Sequence, residues 1–176
     1  MAIDLESTNK DFQLNFLLFR THDLYMTCTD SIFSAYGLTT ENYSTLAAIK
    51  YLGGSARVGD LSQVLERKAN SVSMIVDRMV RAGLVRRSRG KTDRREVRVS
   101  MTDKGQNAFE MAMPACLEFN HEILSPLSDG DKATLATLLR TIRHRALEYV
   151  CPEIDIAKID ETDVTNQANI ADRLTR

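Results

Sequence analysis

A change of period at Gly83 constrains this chain more than any other feature of its sequence. Over Ala69–Ala82, Val72, Ile75, Val76 and Met79 fall at i, i+3, i+4 and i+7, the spacing of one buried helical face. Gly83 closes that stretch. Leu84-Val85-Arg86-Arg87 and Val97-Arg98-Val99-Ser100 then read as short β-type segments. They flank Ser88-Arg89-Gly90-Lys91-Thr92-Asp93-Arg94-Arg95, which is polar and too long for a two-residue turn. A helix sealed on one face that runs straight into a hairpin with an arginine-rich tip leaves few architectures open.

The segments on either side narrow them further. A short helix is expected over Gly59–Leu65, so two helices joined by a three- to four-residue turn precede the hairpin. Upstream, Leu17, Leu24, Cys28 and Ile32 form an apolar stripe flanked by Phe12, Phe16 and Tyr25, which predicts one long helix from Lys10 to Tyr36 closed by Gly37. Thr39 or Thr40 caps the next helix, which carries Tyr43, Leu46, Ala47 and Tyr51 and stops at Gly53-Gly54. Downstream, Thr102-Asp103 opens a long helix with Phe109, Ala112, Met113, Cys116, Ile123 and Leu127 in its stripe and Pro114 inside it. Ser128-Asp-Gly-Asp131 reads as a capping box for a last helix carrying Leu135, Leu138, Leu139, Ile142 and Ala146. The expected fold is mainly α with a small β-hairpin wing: a winged helix-turn-helix between long terminal helices. It divides into a first segment and helix (1–36), the winged lobe (37–102), the closing helices (103–151) and a tail without sustained period (152–176).

Charge singles out the middle of the chain. The net charge of −1 hides an uneven distribution, because residues 57–104 hold thirteen Lys and Arg against six Asp and Glu. A basic segment between acidic flanks suits a polyanion. In a winged helix-turn-helix the second helix buries one face so that the other can lie in a major groove of double-stranded DNA. Short polar residues at its start, Asn70, Ser71 and Ser73, let the backbone approach bases and phosphates, and the positive helix end attracts phosphate. Base readout and phosphate contact are not separated by sequence at those three positions. Met74 is either an apolar contact for a thymine methyl or an ordinary surface residue, and Arg78 suits a phosphate better than a base. Arg89, Lys91, Arg94 and Arg95 at the hairpin tip can reach an adjacent minor groove, whose negative potential draws arginine. Arg57, Arg86 and Arg98 rank below them.

These pieces have a family likeness. Residues 57–105 resemble the MarR family of winged-helix transcriptional regulators, through Leu61-Ser-Gln-Val-Leu65, Val72-Ser-Met-Ile-Val-Asp-Arg-Met79, Gly83-Leu-Val-Arg86, Asp93-Arg-Arg95 and Thr102-Asp-Lys-Gly105. Each motif alone is weak, but their order and spacing are specific, and the likeness extends outward over residues 10–150. The resemblance implies a homodimer whose first and last two helices form the interface, with two winged lobes on a palindromic operator. It also implies repression as the commoner mode, release by a small-molecule effector, and a wing pattern in which Asp93 orients Arg95 for minor-groove insertion with Arg94 as a basic neighbour.

The remaining candidates are weighed against packing. Phe16, Tyr25, Tyr36 and Tyr43, with Phe12, can line a pocket for an aromatic or phenolic effector, though aromatics at helical spacing are more often core. Cys28 on the first stripe reads as a small buried hydrophobe, with redox sensing as the alternative that some relatives of the family suggest. His22, His121 and His144 have no partners at metal spacing, and no nucleophile–base pair or phosphate loop stands out, so no metal, cofactor or catalytic role is expected. Three cysteines do not make a disulfide framework, the start Met-Ala-Ile-Asp-Leu-Glu is acidic, and the longest apolar run, Phe16–Phe19, is far short of a bilayer span. The expectation is a cytoplasmic, non-membrane DNA-binding regulator. The rival is a winged-helix dimer whose basic patch serves an acidic protein partner.

Overall fold

The computed structural model describes residues 5–89 and 97–150. Its elements are α1 (Leu5–Ser34), α2 (Thr40–Tyr51), β1 (Ser55–Arg57), α3 (Val58–Val64), α4 (Ala69–Arg81), β2 (Val85–Arg89), β3 (Val97–Met101), α5 (Asp103–Leu124) and α6 (Asp129–Val150). Helix starts follow the expected caps. Thr39 accepts from the Asn42 N–H, Thr102 from the Gly105 N–H, and the Ser128 hydroxyl from the Asp131 N–H while the Asp131 carboxylate reaches back to the Ser128 N–H. Pro114 lies inside α5, which runs through it.

The hairpin is part of a three-stranded antiparallel sheet in the order β1-β3-β2. Ala56 pairs with Val99 on one side of β3, and Arg87 pairs with Val99 on the other. Strand β1 is an addition to the sequence expectation. Three residues offer too little alternation to announce a strand, and it exists because β3 presents a free edge to Ser55–Arg57.

One core lies under the sheet. Leu46 and Ile49 of α2, Leu61 of α3, Val72, Ile75, Val76 and Met79 of α4, Val85 and Val99 of the sheet and Phe109 and Ala112 of α5 are almost fully buried in it. Phe33 from the end of α1 stacks on Tyr43 at 4.2 Å, and Tyr43 on Phe109 at 5.1 Å, so one aromatic column joins α1, α2 and α5.

Helix α1 departs from expectation in the face it uses. Its contacts with the core come from Thr29 and Phe33, with Ile32 beside them. Leu17, Leu24 and Cys28 lie on the far side of the helix and are exposed, as are Phe12 and Phe16. Expected packing of Cys28 therefore does not occur within one chain. The stripe of large apolar side chains is real, but at 100° per residue Leu17 and Phe33 are about 160° apart, and the lobe takes Phe33. Helix α6 behaves similarly: none of its residues is buried, and Leu135, Leu138, Leu139 and Ile142 face outward.

Candidate nucleic-acid interface

The turn between α3 and α4 is built by local hydrogen bonds. Arg67 N–H donates to the Ser62 carbonyl at 3.0 Å, and the Ser62 hydroxyl donates to the Arg67 carbonyl. Glu66 is held at φ 50°, a left-handed conformation unusual for a side chain of its size. This four-residue turn brings α4 out against α3 and α2.

Helix α4 has the two faces its sequence implies. Val72, Ile75, Val76 and Met79 are sealed, whereas Asn70, Ser71, Met74 and Arg78 are exposed and Ser73 is half-buried. Met74 is a large apolar side chain left 64% exposed. The start of α4 carries no side-chain cap and no acidic residue in its first turn. Its first N–H groups are therefore left to an incoming acceptor, and the helix dipole favours an anionic one.

Ion pairs flank this helix on both edges. Toward the wing, Arg87 bonds the Asp77 carboxylate at 3.0 Å and the Ser73 carbonyl at 3.5 Å. Toward α2, the Glu41 carboxylate takes Arg67 at 2.8 Å on one oxygen and Arg78 on the other. Arg78 is thus exposed but already paired. Arg57 is drawn into the capping of α3 by Asp60 at 3.0 Å, which holds that carboxyl below its usual range, while Arg86 bonds Ser100 and Arg98 the Ser55 carbonyl. Arg89 is exposed at the end of β2, opposite Val97. The expected wing residues Lys91, Asp93, Arg94 and Arg95 lie outside the described residues. Glu41 is the residue sequence reasoning missed: its partners are 26 and 37 residues away, and no local pattern announces them.

Of the four aromatics expected around an effector, Tyr25 and Tyr43 both lie beside Cys116 of α5, while Phe16 is exposed farther along α1. Tyr43 is in the core column and Tyr36 is half-buried against it. Tyr25 stands nine positions after Phe16, half a turn around α1 and about 13 Å along it. Tyr25 instead meets α5, where its hydroxyl donates to Asn120 at 2.8 Å and its ring lies 5.3 Å from Phe119. Asn120 also approaches the Cys116 sulfur at 3.6 Å. Burial raises the pKa values of Tyr25, Tyr43 and Cys116, so this junction of α1, α2 and α5 holds neutral hydroxyl and thiol groups.

Two helices joined by a tight turn, the second with one sealed and one open face, and a β-sheet extending beside it define a winged helix-turn-helix DNA-binding protein. The sequence model of the MarR family matches residues 36–96. Over 150 residues the chain is 31% identical to the transcriptional activatory protein BadR of Rhodopseudomonas palustris, covering 81% of this chain and 85% of that one. The chain belongs to the MarR family of transcriptional regulators. Among solved structures, the organohalide-sensing regulator RdhR-CbdbA1625 in its 2,4-dichlorophenol-bound form superposes with a TM-score of 0.74 at 19% identity, over 85% of this chain and 88% of that one. A mutant MarR from E. coli, complexed with operator DNA, gives 0.69 at 23% identity, over 80% and 99%. Among the described residues, no helix is long and apolar enough to cross a membrane.

Proposed function

We propose that this chain is a homodimeric repressor that reads a palindromic operator with α4 and is released by a small aromatic or phenolic effector. The observation that carries the DNA-reading part is α4 itself. Its apolar face is sealed, its start is uncapped and free of acid, and its outer face offers Asn70, Ser71, Ser73 and Met74 to base edges. Arg78 and the wing residues Arg89, Lys91, Arg94 and Arg95 serve phosphates and the minor groove, with Asp93 orienting Arg95.

In this reading residues 37–102 form the reading lobe, while 1–36 and 103–151 supply the dimer interface. The outward apolar faces of α1 and α6 support it, because surface of that extent is seldom left in water. The effector would enter where α1 meets α5, beside Tyr25, Asn120 and Cys116, whose neutral donors suit a phenol or a carboxylated ring. A neighbour in fold binds 2,4-dichlorophenol, which supports an aromatic ligand of this kind. Repression follows where the operator overlaps a promoter. BadR, named an activatory protein, illustrates that the family also serves the opposite sign.

The direct test is fluorescence anisotropy with DNA from immediately upstream of the coding sequence and a scrambled duplex of equal length. The upstream duplex should bind at least about a thousandfold more tightly at physiological salt. Equal binding to both contradicts an operator-reading role.

A further inference from the structure

The Glu41–Arg67–Arg78 cluster is the strongest feature that the reading above leaves unused. One carboxylate from the first turn of α2 is divided between two guanidiniums, one in the turn of the helix-turn-helix and one on α4. Glu41 is held there from behind. The N–H of its neighbour Thr40 donates to the Asp30 carboxylate of α1 at 2.7 Å, and the Thr40 hydroxyl lies 2.9 Å from that of Thr29. On α4, Arg78 stands seven residues after Ser71 and four after Met74, along one edge of the exposed face.

We propose that Glu41 is an intramolecular competitor for DNA phosphate, occupying Arg67 and Arg78 in the free protein and surrendering them when the operator is bound. The inference rests on the reading of Arg78 as a phosphate contact. Two cations sharing one anion present a single net charge to an approaching duplex. All three side chains remain partly open to solvent, with Arg67 and Arg78 about half exposed. Exposed pairs of this kind are weak, so a phosphate can replace the carboxylate. The exchange makes affinity a difference between two ion pairs. A non-specific duplex that cannot bring its phosphates close leaves the Glu41 pairs intact and gains fewer contacts.

The test measures anisotropy in a potassium chloride series, using the full chain, the upstream duplex and the scrambled duplex. Glu41→Gln should raise operator affinity by about two- to tenfold, the strength of one or two exposed pairs. Its salt slope on the operator should stay as in the wild type, whereas its slope on scrambled DNA should steepen by roughly one phosphate's worth. In an Arg67→Gln/Arg78→Gln background the same substitution should give no gain. Melting curves of each variant confirm that the fold is intact. Operator affinity at or below the wild-type value, or a gain that persists without the two arginines, overturns the competitor role. If Arg78→Gln leaves the operator salt slope unchanged, the phosphate reading beneath the inference fails instead.

Discussion

Single residues at two junctions set how the lobe meets its helices. Gly105, in the first turn of α5, passes so close to the entry of β2 that an added Cβ would lie 2.0 Å from the Leu84 carbonyl oxygen. That carbonyl also accepts the Thr102 hydroxyl at 3.1 Å and the Thr102 N–H, so it cannot move aside cheaply. Alanine is the better helix former by about 1 kcal/mol. Gly105→Ala should nonetheless lose about 1–3 kcal/mol in denaturant unfolding, the usual cost of overpacking. Unchanged stability would show that the α5–β2 crossing is looser than described. At the α1–α2 junction, Asp30 is held below its ordinary value by the Thr40 hydroxyl and then by the Thr40 N–H. Because folding lowers this pKa, its contribution is complete above the ordinary value of 3.8 and is lost as the pH falls below it. Asp30→Asn should therefore destabilise at neutral pH and flatten the acid limb of a melting-temperature profile. A variant that melts in parallel with the wild type at every pH contradicts the bond.

At the scale of elements, α4 and the wing should fail differently when altered. Asn70→Ala or Ser71→Ala should weaken the operator more than scrambled DNA, since a good base contact discriminates by about 1–3 kcal/mol. Arg95→Ala should weaken both and make the salt slope shallower by about 0.9, one phosphate's share. If Arg95→Ala leaves operator affinity and salt slope unchanged in a folded protein, the wing assignment is wrong. The sequence made α4 and its buried residues fully legible, because Val72, Ile75, Val76 and Met79 repeat over a full helix and Gly83 stops them. Both hairpin strands were legible for the same reason, a change of period with polar residues between. Strand β1 was not, because three residues become a strand only through the partner they find in β3. The inner face of α1 was missed because the heavier apolar stripe points elsewhere. Glu41 was invisible because ion pairs 26 and 37 residues apart leave no trace in local pattern.

The described residues leave much of the apolar surface of α1 and α6 uncovered. Phe12, Leu17, Phe19 and Leu24 of α1 and Leu138 of α6 are each more than half exposed. A second copy of the chain is the proposed cover, and sedimentation velocity at micromolar concentration should show a two-chain species. A stable single chain there would contradict it. Half-buried Arg143 on α6 faces Glu66 in the helix-turn-helix turn at 3.6 Å, so a dimer built on α6 would also touch the base of the reading helix. In the proposed dimer, two lobes fixed by one axis would meet DNA at matching places. Hydroxyl-radical footprinting of the upstream duplex with the full chain tests this account most directly. It predicts two protected tracts of like sequence related by a dyad, spaced by about 34 Å, one helical turn, or a multiple of it. A single unpaired tract, or protection that follows no sequence, contradicts it.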